Sequence, residues 1–456
     1  MNDASFLSPA SAVVIGAGLA GSEAGLQLAA RGVNVHLVEM RPRHQTPVHK
    51  TGLCAELVCS NSFKSTKETS AAGMLKAELS ALGSFLYSTA LSTKVAAGGA
   101  LAVDRNAFAE AITSQVKQHP NIVYETREVC DLAEECKRAD AVILATGPLT
   151  SGALASSIKG ITGTDELAFY DAAAPIVMAS SLDMQKLFCQ SRYDETSQGD
   201  YINAPFTREQ YEAFIKELVS AKRVIAKSFE TKDLFQACQP IEEIARKGAD
   251  ALRYGTLKPV GLRDPNTNAR PYAALQLRAE DAHAQSFNLV GCQTNLTFAE
   301  QARVFKMVPG LENAEFARFG VMHRNTFLNA PCVLDENLRL INFKGEVPVF
   351  VAGQLTGTEG YMEAVRSGLH AALSCAAHLQ GISAPKLPNE TAFGALLAYS
   401  TSPQTKNYQP MHVNFGIMPP LEVRIRNKAQ RYEAYAKRGG QAMANYCSKL
   451  KERRLL

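Results

Sequence analysis

The sequence predicts an α/β fold in which a Rossmann-like dinucleotide-binding domain is interrupted by a smaller mixed α/β insertion domain. Three observations predict it. A glycine-rich turn follows a short apolar run at residues 12–15. Two later apolar runs, 141–145 and 348–352, also end in glycine turns. Between about 175 and 320 the composition shifts toward polar and aromatic residues. The 456 residues suffice for two or three domains and a sizeable core. The expected division is 1–175 for the first part of the nucleotide domain, 176–319 for the insertion, and 320–456 for the second part with a basic helical tail.

The elements follow in order. Residues 12–15 read as a buried strand, 22–31 as a helix stopped by Gly32, and 33–38 as a second strand running into Glu39. Together they form a βαβ unit. The Ala-, Leu-, Lys- and Glu-rich segment 62–86 reads as helical, as does 104–117. Residues 141–145 and 348–352 read as buried strands, 368–377 as a small-residue helix, and the tail as helical and basic. There is no internal repeat and no low-complexity segment.

The turn Gly16-Ala17-Gly18-Leu19-Ala20-Gly21 is a complete G-x-G-x-x-G. Gly16 permits the tight turn, Gly18 lets backbone approach a pyrophosphate, and Gly21 lets the helix pack closely on the strand. The helix N-terminus then offers free N–H groups and a positive dipole to phosphates. Glu39 lies 18 residues past Gly21, where an acid accepts bonds from ribose hydroxyls. Further on, VILATG (142–147, with Thr146 and Gly147) resembles the second FAD contact of glutathione-reductase-type flavoproteins. VFVAG (349–353, ending in Gly353 before Gln354) resembles the strand that closes over their flavin. This order favours FAD over NAD.

Charge is uneven. Residues 423–456 hold ten Lys/Arg and two Glu, a net +8, on a chain whose total is +4. Such a tail can bind a polyanion such as RNA, or be an ordinary solvated helical face. The N-terminus lacks the features of a signal peptide, and no apolar run approaches the ~18 residues a membrane helix needs. The ten cysteines follow no disulfide framework, so a cytoplasmic protein with reduced thiols is expected.

Cys54 and Cys59 form C-x4-C after the second strand, where flavin disulfide reductases carry their redox pair. No second G-x-G-x-x-G exists for NADPH, and the surrounding CAELVCSNSF lacks the glycine-rich context of that motif. No further ligands at zinc spacing accompany the pair, so no metal is expected. Cys238 precedes Pro240, which suits the first turn of a helix running through Ile244. A helix dipole there favours thiolate, opposed by Glu242 and Glu243.

With these segments in view, the chain resembles the folate- and FAD-dependent tRNA (uracil-5-)-methyltransferases, the TrmFO (Gid) family. The resemblance rests on VIGAGLAGSEA, AELVCSNSF, AGGALAVDR, SRYDE with YINAP, ACQPIEEIARKG, LKPVGLRDP, GCQTNLTFAEQ, MVPGLENAEFARFGVMHRNTF, AGQLTGTEGYMEA and YQPMHVNFGIMPP, which run in order along nearly the whole chain. The family more often has Phe at positions 54 and 292, which weakens Cys54 as a redox partner.

The resemblance implies C5-methylation of the T-loop uridine of tRNA. The carbon donor is methylenetetrahydrofolate, and NADPH or NADH is the reductant acting through FAD. Cys238 is implied as the nucleophile at uracil C6 and Cys59 as the base that removes the C5 proton. The 353–361 segment is implied to line the flavin, with Tyr361 a candidate to stack on its ring. His323 and Arg324 are candidate contacts to folate, flavin or RNA. Arg253, Lys258, Arg263 and the basic residues of 424–431 are candidate phosphate contacts. A ribosomal RNA uridine (23S) is the alternative substrate, and a flavin thiol–disulfide oxidoreductase or a non-catalytic RNA-binding flavoprotein are the alternative activities. No protein partner and no membrane association are implied.

Overall fold

The computed structural model describes residues 10–163, 167–192, 199–225, 239–265, 267–406 and 408–456, without the side chains of 167–170 and 323–324. Its central element is a five-stranded parallel sheet. The strand order is Val349–Val351, Ala141–Leu144, Ser11–Ile15, Asn34–Glu39, Ile122–Thr126. The inner strands are apolar throughout because helices cover both faces: Ala12, Val14, Val142 and Ile143 are wholly buried. The first helix, Leu19–Ala30, begins three residues earlier than its composition suggests, with Gly18 as its cap. Its Glu23 is buried and accepts from the backbone N–H of Leu86 and the hydroxyl of Ser84, capping the next helix but one.

The helical expectation for 62–86 needs correction. Ser62–Ser65 is a strand that pairs with Ala100–Val103 in a three-stranded sheet, and the helices there are Ala71–Ala81 and Phe85–Ser92. Ser70 caps the first of these through the N–H of Gly73, ending any continuous helix before it. The helix expected at 368–377 is longer, Tyr361–Leu379. It crosses the first helix so closely that a Cβ on Gly368 would lie 2.2 Å from the Ala20 carbonyl oxygen.

A second sheet of six strands runs in the order Phe188–Cys189, Ile202–Phe206, Ala273–Ala279, Ser286–Leu289, Ile176–Met178, Phe316–Arg318, with every pairing antiparallel. It has its own apolar core, drawn from residues between Val177 and Ala314, separate from the core around the parallel sheet. The strands Leu167–Ala172 and Met322–Phe327 pair antiparallel where the chain leaves and re-enters the first body. The basic tail is one helix, Lys428–Glu452, packed on Ala71–Ala81. No helix among the described residues is long and apolar enough to cross a membrane.

Candidate active site in the dinucleotide cleft

One cleft runs along the carboxyl ends of the parallel strands. It is lined by Gly16, Gly18, Leu19, Ala20, Glu39, Thr146, Gly147, Gly353, Gln354 and Tyr361, and Cys59 stands in the same wall. Of the predicted nucleotide contacts, Ala17 and Gly21 lie behind this surface. Gly21 is where helix meets strand: a Cβ there would lie 1.8 Å from the Gly16 carbonyl oxygen. Gly18, by contrast, would present a Cβ with nothing within 4 Å of it, and opens on the cleft.

Among the described residues, the N-termini of two long helices flank the glycine turn and the 353–361 segment in this cleft. Leu19–Ala30 starts at Gly18 and Tyr361–Leu379 at Gly360, and neither cap supplies a side-chain acceptor. Their first N–H groups and dipoles suit an anionic pyrophosphate at one end and a polar ring edge at the other. The residues present therefore fit FAD.

The acid at the end of the second strand is more committed than its position suggests. Glu39 accepts from the N–H of Ala17 at 2.9 Å and of Arg41 at 3.0 Å, and from the Arg41 guanidinium at 3.0 and 3.2 Å. Burial alone would raise its carboxyl; the bonded Arg41 outweighs that and holds it below the usual carboxylate range. Arg41 also reaches Glu56 at 3.1 Å. A ribose hydroxyl at Glu39 must share or displace these donors. The signal is available in the sequence, since Arg41 stands two residues on.

Cys59 is held from several directions. The Tyr361 hydroxyl oxygen accepts from the N–H of Cys59 (2.8 Å) and of Ser60 (3.1 Å). Tyr361 is thus an anchor for the thiol loop, with its ring edge-on to Phe63. Arg318 donates to the Val58 carbonyl at 2.6 Å, and Arg105 donates to that of Leu57. Arg278 donates to Ser60 Oγ at 2.8 Å and Asn61 Oδ1 at 2.9 Å. Arg278 and Arg318 come from the six-stranded sheet, so the second body grips the loop that carries the thiol. Sequence reasoning missed all three arginines, because nothing local distinguishes them. Cys59 Sγ itself lies 3.7 Å from the Ala172 carbonyl.

Cys54 behaves differently. It is fully buried and outside the cleft, its N–H donates to Thr113 Oγ1, and burial pushes its thiol up. Both cysteines are free. A core thiol in that state is a poor redox partner for Cys59, which removes support from a disulfide oxidoreductase.

Beyond Cys59 the cleft holds Asp171, Glu359 and Glu363. Burial and the neighbouring Asp171 charge push the Glu359 carboxyl well above its ordinary range, and it accepts from the Gln354 side-chain amide. Glu363 sits 3.4 Å from Lys64 Nζ.

Cys238 lies outside the described residues. Its neighbourhood does not: Pro240 is the cap, not the first turn, of the short helix Ile241–Ala245. Glu242 in that helix is wholly buried and accepts from Thr294 Oγ1 (2.9 Å) and the Asn295 N–H (2.7 Å). Burial raises its carboxyl to about 7. The folded value exceeds the unfolded one, so the protonated form is favoured in the fold. Its contribution is full below the unfolded value and is lost as pH rises toward about 7. Replacing Glu242 by Gln is expected to flatten the decline in melting temperature between pH 5 and roughly 7.5. An unchanged pH profile in that variant would contradict the assignment.

The side chains of His323 and Arg324 are not described; their backbone lies in Met322–Phe327. Arg253 stacks 4.2 Å over Tyr272 and donates to that residue's carbonyl, and Arg263 donates to the Asn268 carbonyl. Both support the fold around them. The Lys258 carbonyl accepts from Arg192.

The parallel sheet, glycine turn and paired helix ends define a flavoprotein of the Rossmann-like FAD-binding class. The family model described as glucose inhibited division protein A matches residues 11–383. The TrmFO methylenetetrahydrofolate–tRNA-(uracil-5-)-methyltransferase of Listeria monocytogenes serovar 1/2a is 49% identical over 437 residues, covering 96% of this chain and 99% of its own. That of Bacillus subtilis (strain 168) is 48% identical over 425 residues, covering 93% and 96%. The chain belongs to the TrmFO family. Among solved structures, Aquifex aeolicus GidA superimposes with a TM-score of 0.68 at 15% identity, covering 97% of this chain and 74% of that one, a likeness of fold alone.

Proposed function

We propose that the protein methylates C5 of a uridine in the T loop of tRNA, taking the carbon from methylenetetrahydrofolate and the reducing equivalents from NAD(P)H. The observation that carries this reading is 48–49% identity to tRNA-methylating relatives over more than nine-tenths of both chains. Bound FAD would relay electrons from the nicotinamide to the transferred carbon.

The chain's own groups do the rest. Uracil C5 is a weak nucleophile; addition of the Cys238 thiolate at C6 makes it enolate-like, so it attacks the methylene carbon. Cys59 then takes the C5 proton as the carbon's bond to the folate nitrogen breaks, which releases tetrahydrofolate and leaves a methylene on C5. Two electrons and a proton, which reduced flavin would supply, convert it to methyl, and elimination at C6 releases Cys238. The network of Tyr361, Arg105, Arg278 and Arg318 fixes the Cys59 loop against the cleft, which supports the role of base. Gly16, Gly18, Leu19 and Ala20 would meet the pyrophosphate, with Ala17 and Gly21 shaping the turn from behind. Glu39 faces the ribose, and Thr146, Gly147, Gly353 and Gln354 border the flavin. We assign catalysis to the meeting of the 1–175 and 320–456 parts with the 176–319 insertion, in the cytoplasm.

Unmodified tRNA and 23S ribosomal RNA fragments should be incubated with the flavin-loaded protein, methylenetetrahydrofolate and NADPH, and digested to nucleosides. We expect 5-methyluridine from tRNA, and none with Cys238→Ala or Cys59→Ala. Product only from the ribosomal fragments would reassign the substrate. Undiminished product with Cys238→Ala would reject it as nucleophile.

A further inference from the structure

We infer that the substrate RNA docks on a basic and aromatic surface formed by segment 411–426 and the start of the helix Lys428–Glu452. This rests on the RNA-methylation reading and adds the surface that would deliver the base.

The segment is tied to the rim of the cleft. Met411 N–H donates to the Gly357 carbonyl at 3.0 Å, and Glu359 N–H donates to the Met411 carbonyl at 2.8 Å. The Val413 N–H points to Glu363 at 3.4 Å, and His412 is half-buried beside Lys64 and Glu363. Glu359, Glu363 and Lys64 all line the cleft. Two residues on, Phe415 stacks against Tyr435 (5.2 Å between ring centroids) and packs tilted against Tyr432 (4.3 Å), both half-buried on the C-terminal helix. A continuous path therefore leads from the cleft rim to an aromatic cluster.

Cations surround that cluster in two roles. Arg438 donates to the carbonyls of Pro419 (2.6 Å) and Pro420 (2.8 Å), and Arg431 to that of Ile425, so these fix the segment. Arg424, Arg426 and Lys437 are exposed and have no carboxylate partner among the described residues. Lys428 lies 5.5 Å over the Tyr432 ring. An ordinary solvated helix interleaves both signs; residues 423–456 carry ten cations against two acids. Rigid aromatic faces bordered by unpaired guanidinium and ammonium groups suit a folded RNA loop, through phosphate contacts and base stacking. A loop that extrudes one base into the cleft must rest its neighbouring nucleotides close to the rim.

The test compares the flavin-loaded wild type with the triple variant Arg424→Gln, Arg426→Gln, Lys437→Gln, in binding to unmodified tRNA across a salt series. Flavin absorbance and melting temperature should match wild type, since the three groups are exposed and hold no carboxylate among the described residues. Affinity at low salt should fall by at least about tenfold, and the slope of log K against log salt should become shallower by roughly 2 to 3. The KM for tRNA should rise with little change in kcat. Wild-type binding with an unchanged slope in the variant would overturn this surface alone. A wild-type protein that binds no tRNA would overturn both the surface and the methylation reading.

Discussion

Gly21→Ala is expected to yield a protein that retains almost no FAD. The added methyl would sit 1.8 Å from the Gly16 carbonyl oxygen and 3.2 Å from the Ala145 Cβ. Both neighbours belong to the sheet: Gly16 follows the first strand, and the Ala145 N–H bonds the Ile15 carbonyl at 2.9 Å. Neither can move without shifting the turn that faces the pyrophosphate. Overpacking of this kind costs about 1–3 kcal/mol and sometimes more, and here the strain falls on the ligand site itself. Flavin absorbance after gel filtration reads the first effect, and thermal melting with and without added FAD reads the second. Full flavin occupancy with a wild-type melting curve would contradict the close helix–strand contact. Gly18→Ala is a useful companion, since its methyl meets no protein atom and would affect flavin affinity with little effect on the apoprotein.

Arg278→Ala is expected to lower kcat by about a hundredfold or more while FAD remains bound. Arg278 is buried and bridges the six-stranded sheet to Ser60 and Asn61, the two residues after Cys59. Its loss would leave Asn61 Oδ1 and Ser60 Oγ without that donor, at a cost of about 1–3 kcal/mol for each buried polar atom left unpaired. The Cys59 loop would keep Tyr361, Arg105 and Arg318 but lose its tie on one side, and misplacement by about 1 Å costs on the order of a hundredfold in rate. Because Arg278 touches none of the residues placed at the pyrophosphate, flavin content should hold. Arg278→Lys should recover part of the rate, since an ammonium reaches one acceptor but not both. Equal loss in the Lys and Ala variants together with lost flavin would indicate general unfolding, not loop positioning.

The nucleotide half of this site is legible in the sequence because its chemistry is local. A tight turn needs glycine at 16, close packing needs glycine at 21, and the acid must end the second strand, so spacing alone identifies them. The segment 62–86 misleads because all its Ala and Leu lie from Ala71 onward, in and between the two helices there, while Lys64, Lys67 and Glu68 precede them. The strand Ser62–Ser65 is decided by its pairing with Ala100–Val103, which no local pattern encodes. The grip on Cys59 is invisible for the same reason: Arg278 and Arg318 lie more than 200 residues from the loop they hold. The resemblance makes Tyr361 only a candidate to stack on the flavin ring. Its hydroxyl contact with the Cys59 and Ser60 backbone emerges only when the two segments are brought together.

The most direct test of the central claim is the fate of a labelled one-carbon unit. Flavin-loaded protein, NADPH and unmodified tRNA should be given carbon-13 methylenetetrahydrofolate in one reaction and carbon-13 methyl-labelled S-adenosylmethionine in a parallel one, with 5-methyluridine analysed by mass spectrometry. Labelled 5-methyluridine is expected only from the folate reaction. Label arriving from S-adenosylmethionine, or no 5-methyluridine from a protein that has bound both flavin and tRNA, would contradict it.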